Sequence, residues 1–525
     1  HNGLGWVYYE TSRFNAALRH YLLADSLINA TGTETIPLKI SIHNNLGLLY
    51  NWLGEYTLTR DHFEKAYHLL DLLNEHDSVY FEKLSMLQFN RGVLMYLLEE
   101  HAEAISLLKE SELIKKNHGQ THLGSVYYNL ARVFEVLHKM DTAAGYYRKA
   151  ISRWISEYNE DHFQLANIYQ DFGLLHISNG SNEEGLKLLE AALSNYLENY
   201  GSRHPLTAGC YENLGRFYLD QSNYQQAMEH LQKALIAATR QFSSEDPEDN
   251  PLYTEGLHDL TLLKILQSKV LVLERSATGS AGKRKRDLLK LATRTNHLSI
   301  RVLYRIQGSY LTGESRTYLI ARQKGVFETG IRIYRQLWSE TGNVAYLDSA
   351  YLDAAKGKAN ELLLDRRIKE WLFLESLPDS MARSVVNLKL QADHLSHLIQ
   401  AKSREVDPDS ALLNEWRNQL FELRDSFRSE MDLLQGEQPL ISQFEYLSRH
   451  LTMENIRKKL SRGETLVEFF SGDPEATEIP QIHSFVVTKG STHLLNFSFD
   501  ENIVKDLEIV MENLHQFDPL RETKE

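Results

Sequence analysis

Cysteine, proline, glycine and long apolar runs are all scarce in this sequence. Its one cysteine, Cys210, excludes an intrachain disulfide and fits a reducing compartment. Ten prolines and 28 glycines among 525 residues fall well below the usual share of these breakers, about 12%. That scarcity excludes collagen-like and low-complexity readings, argues against a large all-β protein and points to helices. No apolar run approaches the roughly 18 residues that a membrane span needs. Positive charge is short as well: 57 Lys and Arg face 71 Asp and Glu, leaving a net charge of −14. So acidic a chain has no global footprint for nucleic acid or for an anionic membrane. A hydrophobic share of 42% is enough to build a core and excludes wholesale disorder. The length holds about three to four domains. There is no basic-then-apolar leader; His1 and Glu525 read as cut ends, and a cytoplasmic location is the expectation.

What the sequence does contain is repetition. A short pattern, Leu-Gly followed by an aromatic three residues on, occurs at Leu4-Gly5 with Tyr8, Leu46-Gly47 with Tyr50 and Leu214-Gly215 with Tyr218. Phe172-Gly173 with His176 and Leu130-Ala131 with Phe134 are close variants, and Arg91-Gly92 with Met95 is the weakest. The small residue of each copy serves as an anchor, and the anchors stand at 5, 47, 92, 131, 173 and 215. A second set follows at +12, +16 and +19: Ala17, Tyr21, Ala24; Thr59, Phe63, Ala66; Ala104, Leu108, Ser111; Ala143, Tyr147, Ala150; Gly185, Leu189, Ala192; and Ala227, Leu231, Ala234. Small residues let two helix backbones approach, and bulky ones at helical spacing fill the groove beside them. The pattern predicts six helix pairs, with turns at Gly54-Glu55-Tyr56 and Ser222-Asn223-Tyr224 between the two halves.

These repeats resemble the tetratricopeptide repeat (TPR), with linkers lengthened to a period near 42. The stretch Tyr200-Gly201-Ser202-Arg203-His204-Pro205 is similar to the linker of kinesin-light-chain-like TPRs. The resemblance covers residues 1–240. It implies a mainly α protein, a right-handed α-solenoid whose first helices line a concave face that takes a protein or peptide.

Most of the repeat residues read as packing. One polar register asks for more. Two residues before the anchor stand Asn45, Asn90, Asn129, Asp171 and Asn213, with Gly3 in the first copy. Asn is a mediocre residue inside a helix. An amide donates and accepts at once, which suits a bound peptide backbone; in peptide-binding TPRs an Asn at this register lines the groove. It equally suits a hydrogen bond between neighbouring repeats, since either satisfies a half-buried amide. Arg132 and Arg216, one residue after their anchors, are candidates to hold a partner's carboxylate, against the plainer reading of solvated arginines.

Beyond the repeats, Ser243-Ser244-Glu245-Asp246-Pro247 and Asn250-Pro251 predict a loop over 241–254. Residues 251–378 read as degenerate repeats, Ala350, Ala354 and Gly357 repeating the small-residue spacing. The run Lys283-Arg284-Lys285-Arg286 reads as a solvated helix start, with nuclear import or nucleic-acid contact as the sharper reading. Two apolar seams, Met381 to Ile399 and Leu413 to Leu434, flank Asp407-Pro408 and predict an antiparallel helical hairpin over 379–450, or a dimerising coiled coil. His394 and His397 have a metal-like spacing but no third ligand in sight.

From residue 451 the pattern changes. A helix over 452–461 is followed by strands Thr465–Phe470, Ile482–Thr488 and Thr492–Phe497, and a helix over 501–514. Leu466-Val467-Glu468-Phe469-Phe470, the Gly472-Asp473 turn and Phe485-Val486-Val487-Thr488-Lys489 look like the start of a CHAT domain, the caspase-like peptidase domain often found after TPR arrays in bacteria. The expectation is a small, incomplete α/β segment over 451–525 with an open sheet edge and an uncovered face. That family works through a His–Cys dyad, in which the thiolate attacks and the imidazole moves the proton. Neither motif occurs here: Cys210 sits in a repeat helix and His483 has no Gly after it. No catalytic residue carries over, and no metal or cofactor is expected. The sequence shows no P-loop, dinucleotide fingerprint, metal cluster or nucleophile elbow. A TPR module that senses a partner and regulates an attached CHAT peptidase is the leading reading. A pure TPR scaffold without a peptidase is the other.

Overall fold

The computed structural model describes residues 1–10, 14–29, 36–52, 56–119, 121–252, 256–309, 324–357, 453–471 and 481–498, with scattered helical positions between 384 and 426. Among these the chain forms two compact units, one over residues 1–268, the other over 269–309 and from 324 onward. It is mainly helical, with one small sheet near its end.

The first unit is a stack of six helix pairs. The first helices are α1 (Asn2–Glu10), α3 (Ile36–Trp52), α5 (Ser78–Leu97), α7 (Leu123–Val136), α9 (Gln164–Ser178) and α11 (Pro205–Asp220). The second helices are α2 (Phe14–Asn29), α4 (Tyr56–His68), α6 (His101–Asn117), α8 (Met140–Glu157), α10 (Asn182–Tyr200) and α12 (Tyr224–Ala237). Each first helix packs on its own second helix and then on the second helix of the pair before it.

The small anchor makes the first of these contacts possible. A Cβ placed on Gly5 would lie 2.5 Å from the Tyr21 ring, and one on Gly215 would lie 2.8 Å from Leu231 Cγ. Tyr21, Phe63, Leu108, Tyr147, Leu189 and Leu231, all at +16, are buried, as are the small residues at +12 and +19. In pair five backbone meets backbone: a Cβ on Gly173 would sit 2.9 Å from the Gly185 carbonyl oxygen, and one on Gly185 would sit 2.7 Å from that of Gly173.

The turns inside pairs three to six also keep one register. Seven residues past the anchor, Glu99, His138, Gly180 and Ser222 take left-handed backbone, with φ of 66°, 55°, 81° and 56°. The next amide then donates five residues back, Lys139 to Phe134 at 2.9 Å and Asn223 to Tyr218 at 2.8 Å, and so caps the open carbonyls. In the linker before pair six, His204 stacks on Tyr200 with ring centroids 4.4 Å apart. Its side chain accepts from the Leu206 amide, and Pro205 opens α11.

The first part of helix α13 (Asp259–Thr278) closes the first unit and its remainder opens the second. There it joins α14 (Gly282–Ser309), α15 (Lys324–Thr341) and α16 (345–357). The segment 277–282 is mostly the meeting of two helix ends. Arg332 grips Glu274 with two bonds of 2.6 and 2.7 Å. Among the basic run, Lys285 pairs with Glu340 at 2.6 Å.

After α17 (Met453–Lys459) come β1 (Thr465–Ser471), β2 (Gln481–Thr488) and β3 (Thr492–Ser498), an antiparallel meander in that order. On one face of the sheet Phe470, Phe485, Val487 and Leu494 alternate inward and are buried. Tyr351 of α16 meets Phe485 edge-on at 5.4 Å, and Phe470 seats against Gly357. Helix α16 therefore packs on that face. Val467, Phe469 and Leu495 on the other side are 46, 57 and 46% exposed. Within the hairpin region the seam positions Leu388, Ala392, Leu395, Ile399, Trp416, Leu420 and Leu423 are helical. The rest of the hairpin and the helix over 501–514 lie outside the described residues.

Two substitutions check the pair geometry by chemical denaturation. Gly185→Ala should lower stability despite a helix-propensity gain of about 1 kcal/mol, since overpacking costs about 1–3 kcal/mol or more. His138→Gly should raise stability by about 1 kcal/mol, the cost of left-handed backbone in a residue with a Cβ.

Candidate partner-binding face

The polar register resolves into bonds between neighbouring pairs. Asn45 Nδ2 donates to Asn2 Oδ1 at 3.0 Å, and Asn90 Nδ2 donates to Asn44 Oδ1 at 2.6 Å. The Tyr128 hydroxyl donates to Asp171 Oδ2 at 2.6 Å. In all three the partner stands three residues before the anchor of the preceding pair. Glu212 holds that position in pair six; it accepts from Ser268 Oγ of α13 at 2.6 Å and pairs with Lys264 at 2.7 Å. Asn129 instead bonds the Ser125 carbonyl of its own helix at 3.0 Å, and Asn213 is buried. The residues Asn2, Asn44, Tyr128 and Glu212 were missed in the sequence reading. In pairs two, four and six a polar residue stands beside the register residue (Asn44, Tyr128, Glu212), but which one reaches across depends on how the pairs stack.

The two arginines differ. Arg216 is 55% exposed and 4.0 Å from Glu212. Arg132 is held: its guanidinium lies 4.7 Å from the centre of the Tyr96 ring and 5.6 Å from that of Tyr128. Its Nε is 3.7 Å from Asp171, and its side chain is 31% exposed. At 3.7 Å this is an ion pair without a hydrogen bond. Burial, then Asp171, pushes the Tyr128 hydroxyl well above its ordinary range, so it stays a neutral donor. One turn along, Glu135 accepts from the Tyr147 hydroxyl at 2.6 Å, and burial raises its pKa. Two tyrosine faces and a carboxylate thus orient a guanidinium whose N–H groups can take a second carboxylate from a ligand.

In pairs one and two, His43, His62 and Asp25 form a buried group. His43 Nδ1 is 3.2 Å from His62 Nδ1, and His43 Nε2 is 3.7 Å from Asp25. The short contact requires that one imidazole donate a proton to the other, so the pair is held short of full protonation. Burial, then Lys65 and Lys39, pushes His43 down to about 3. Burial pushes Asp25 up, although both lysines oppose it.

Cys210 is fully buried and its thiol touches the Leu189 carbonyl at 3.4 Å. Burial pushes it up to about 12, which makes it a poor nucleophile. His483 is buried on β2, with Nδ1 2.8 Å from the Asn496 amide and Nε2 3.9 Å from Glu328. Among the described residues no three His, Cys, Asp or Glu side chains are grouped to hold a metal. His394 is exposed, and His397 lies outside the described residues. Among the described residues no helix is long and apolar enough to cross a membrane.

A family model, Tetratricopeptide repeat, matches residues 173–239, from the anchor of pair five to the end of pair six. This stretch is similar to the tetratricopeptide repeat. Similar solved structures include BtubC (BKLC) from P. vanneervenii, at 18% identity over 47% of this chain and 89% of that one, with a TM-score of 0.35. The Rap conjugation gene regulator of the plasmid pLS20, solved with the Phr* peptide, is 14% identical over 57% of this chain and 73% of its own, with a TM-score of 0.39. The apo form of the quorum sensor NprR from B. thuringiensis is 15% identical over 68% of this chain and 99% of its own, with a TM-score of 0.36. No curated protein sequence matches the chain.

Two measurements probe the face. Asn90→Ala leaves Asn44 buried without its partner and should cost about 1–3 kcal/mol; adding Asn44→Ala should cost little more, a non-additivity read in a double-mutant cycle. For pH the sign follows from His43. Unfolded, it takes a proton near 6.5; folded, only near 3. Its contribution is intact above about pH 6.5 and is lost as pH falls, by up to about 1.4 kcal/mol per unit. Urea midpoints between pH 7.5 and 5 should fall, less steeply in His43→Leu; parallel slopes would contradict this assignment.

Proposed function

We propose that the six-pair array, residues 1–240, is a protein- or peptide-binding module whose ligand lies along the first-helix face. The observation that carries this is Arg132, oriented by Tyr96, Tyr128 and Asp171 while its side chain stays partly open. Arg132 takes a carboxylate of the ligand. Arg216 adds a looser second charge, and Asn45, Asn90, Asn129, Asp171 and Asn213 mark the line the ligand follows. Since Asn45, Asn90 and Asp171 also tie neighbouring pairs together, the face that holds the ligand is the one that sets the stacking.

The proposal extends to organisation. Residues 251–378 continue the array as degenerate repeats, 379–450 form a helical hairpin, and 451–525 begin a CHAT domain. Partner binding would then regulate a caspase-like cysteine peptidase in a bacterial, cytoplasmic protein. Seating of the sheet on α15 and α16 favours this over a pure scaffold, because the segment that resembles CHAT shares a core with the helices before it. No role for nucleic acid is part of this reading.

The test is selection from a bead-displayed random peptide library with free C-terminal carboxylates. Selected peptides should bind at least tenfold more weakly to Arg132→Ala, while its melting temperature stays near that of the parent. Equal binding by Arg132→Ala, or no selectable peptide, would contradict the proposal.

A further inference from the structure

Trp52 ends α3, two helical turns after Asn45, so the two share one face of that helix. Its indole meets the His258 imidazole edge-on, with ring centroids 5.0 Å apart. His258 belongs to the stretch that follows pair six, and pair six holds that stretch firmly. Thr239 bridges Gly256 in antiparallel fashion, and the Leu257 amide donates to the Ala238 carbonyl at 2.8 Å. Arg203 bonds the Ile236, Thr239 and Phe242 carbonyls at 2.9, 2.9 and 3.1 Å, and Gln232 donates to the Ser244 carbonyl at 2.8 Å. On its other side His258 Nδ1 is 2.9 Å from Thr261 Oγ1, at the start of α13.

His258 is therefore fixed by pair six and touches pair two. Two residues of extended chain reach about 7 Å at most, so the ends of α12 and α3 lie close together. Successive packed helices stand about 8–10 Å apart. A straight stack would hold pairs two and six far beyond that reach, so the array curls until they meet across the first-helix face.

We propose that residues 256–261 form a strap that closes the first-helix groove between pairs two and six, and that a ligand enters when the contact between Trp52 and His258 opens. This rests on the groove reading above and adds its regulation.

Cysteines at both positions test it. Cys210, buried and with its pKa raised, will not compete for label. In Trp52→Cys/His258→Cys, a short bis-methanethiosulfonate crosslinker, which forms a disulfide at each cysteine with loss of methanesulfinate, should join the two sites in the free chain. The joined protein should bind a fluorescein-labelled peptide from the library at least tenfold more slowly, and reduction should restore the rate. His258→Ala, which needs no crosslink, should speed association several-fold. Failure to crosslink in a variant that melts like the parent overturns the strap, whether or not the peptide binds. Crosslinking with an unchanged association rate, or an unchanged rate in His258→Ala, overturns the gate while leaving the binding reading in place. A reduced parent chain that binds no library peptide overturns the binding reading, and the gate with it.

Discussion

The array depends on one steric constraint, the approach of a residue with almost no side chain to a bulky one sixteen positions later. Where Gly5 faces Tyr21 and Gly215 faces Leu231, there is no space for even one added carbon. That contact sets how close the two helices of a pair come. In pairs three to six the left-handed turn at +7 fixes how the chain reverses between them. With both held, the remaining apolar stripe of each pair has one place to go, against its neighbour, and a continuous core results. The polar registers three and two residues before the anchor then fall opposite one another across successive first helices.

This geometry gives the candidate binding face its character. A buried amide is costly unless bonded, so Asn44 with Asn90 and Tyr128 with Asp171 specify how adjacent pairs sit, beyond what apolar packing alone would select. Arg132 is placed by the same arrangement: its rings come from two pairs, Tyr96 and Tyr128, and its carboxylate, Asp171, from a third. No single repeat could build that site. A ligand that engages Arg132 therefore senses the relative placement of three pairs, which is how binding on one face would be transmitted along a stack.

Much of this was legible in the sequence. The anchors, the +16 residues and their small flanks are contacts within a pair, separated by one turn, so the spacing of residue types is enough to reveal them. The strands were found within a residue of their limits because alternation at period two is local. The ladder partners Asn2, Asn44 and Tyr128 were not found, since the choice between a groove-lining amide and an inter-pair bond depends on the angle between pairs. The contact of Trp52 with His258 was invisible for a stronger reason: it depends on curvature accumulated over four pairs, and no local pattern records that. The cover on one sheet face was not legible, because it rests on contacts of Gly357 with Phe470 and of Tyr351 with Phe485, residues far apart in sequence.

The most direct measurement of the central claim is where a bound ligand touches the array. A library-selected peptide carrying a photo-crosslinking group, irradiated on the full chain and mapped by mass spectrometry, reports this without assuming any residue's role. Attachment to the first helices, centred on α5 and α7 near Tyr96, Tyr128 and Arg132, is the expected result. Attachment confined to the second helices, or to residues beyond 268, would contradict the account.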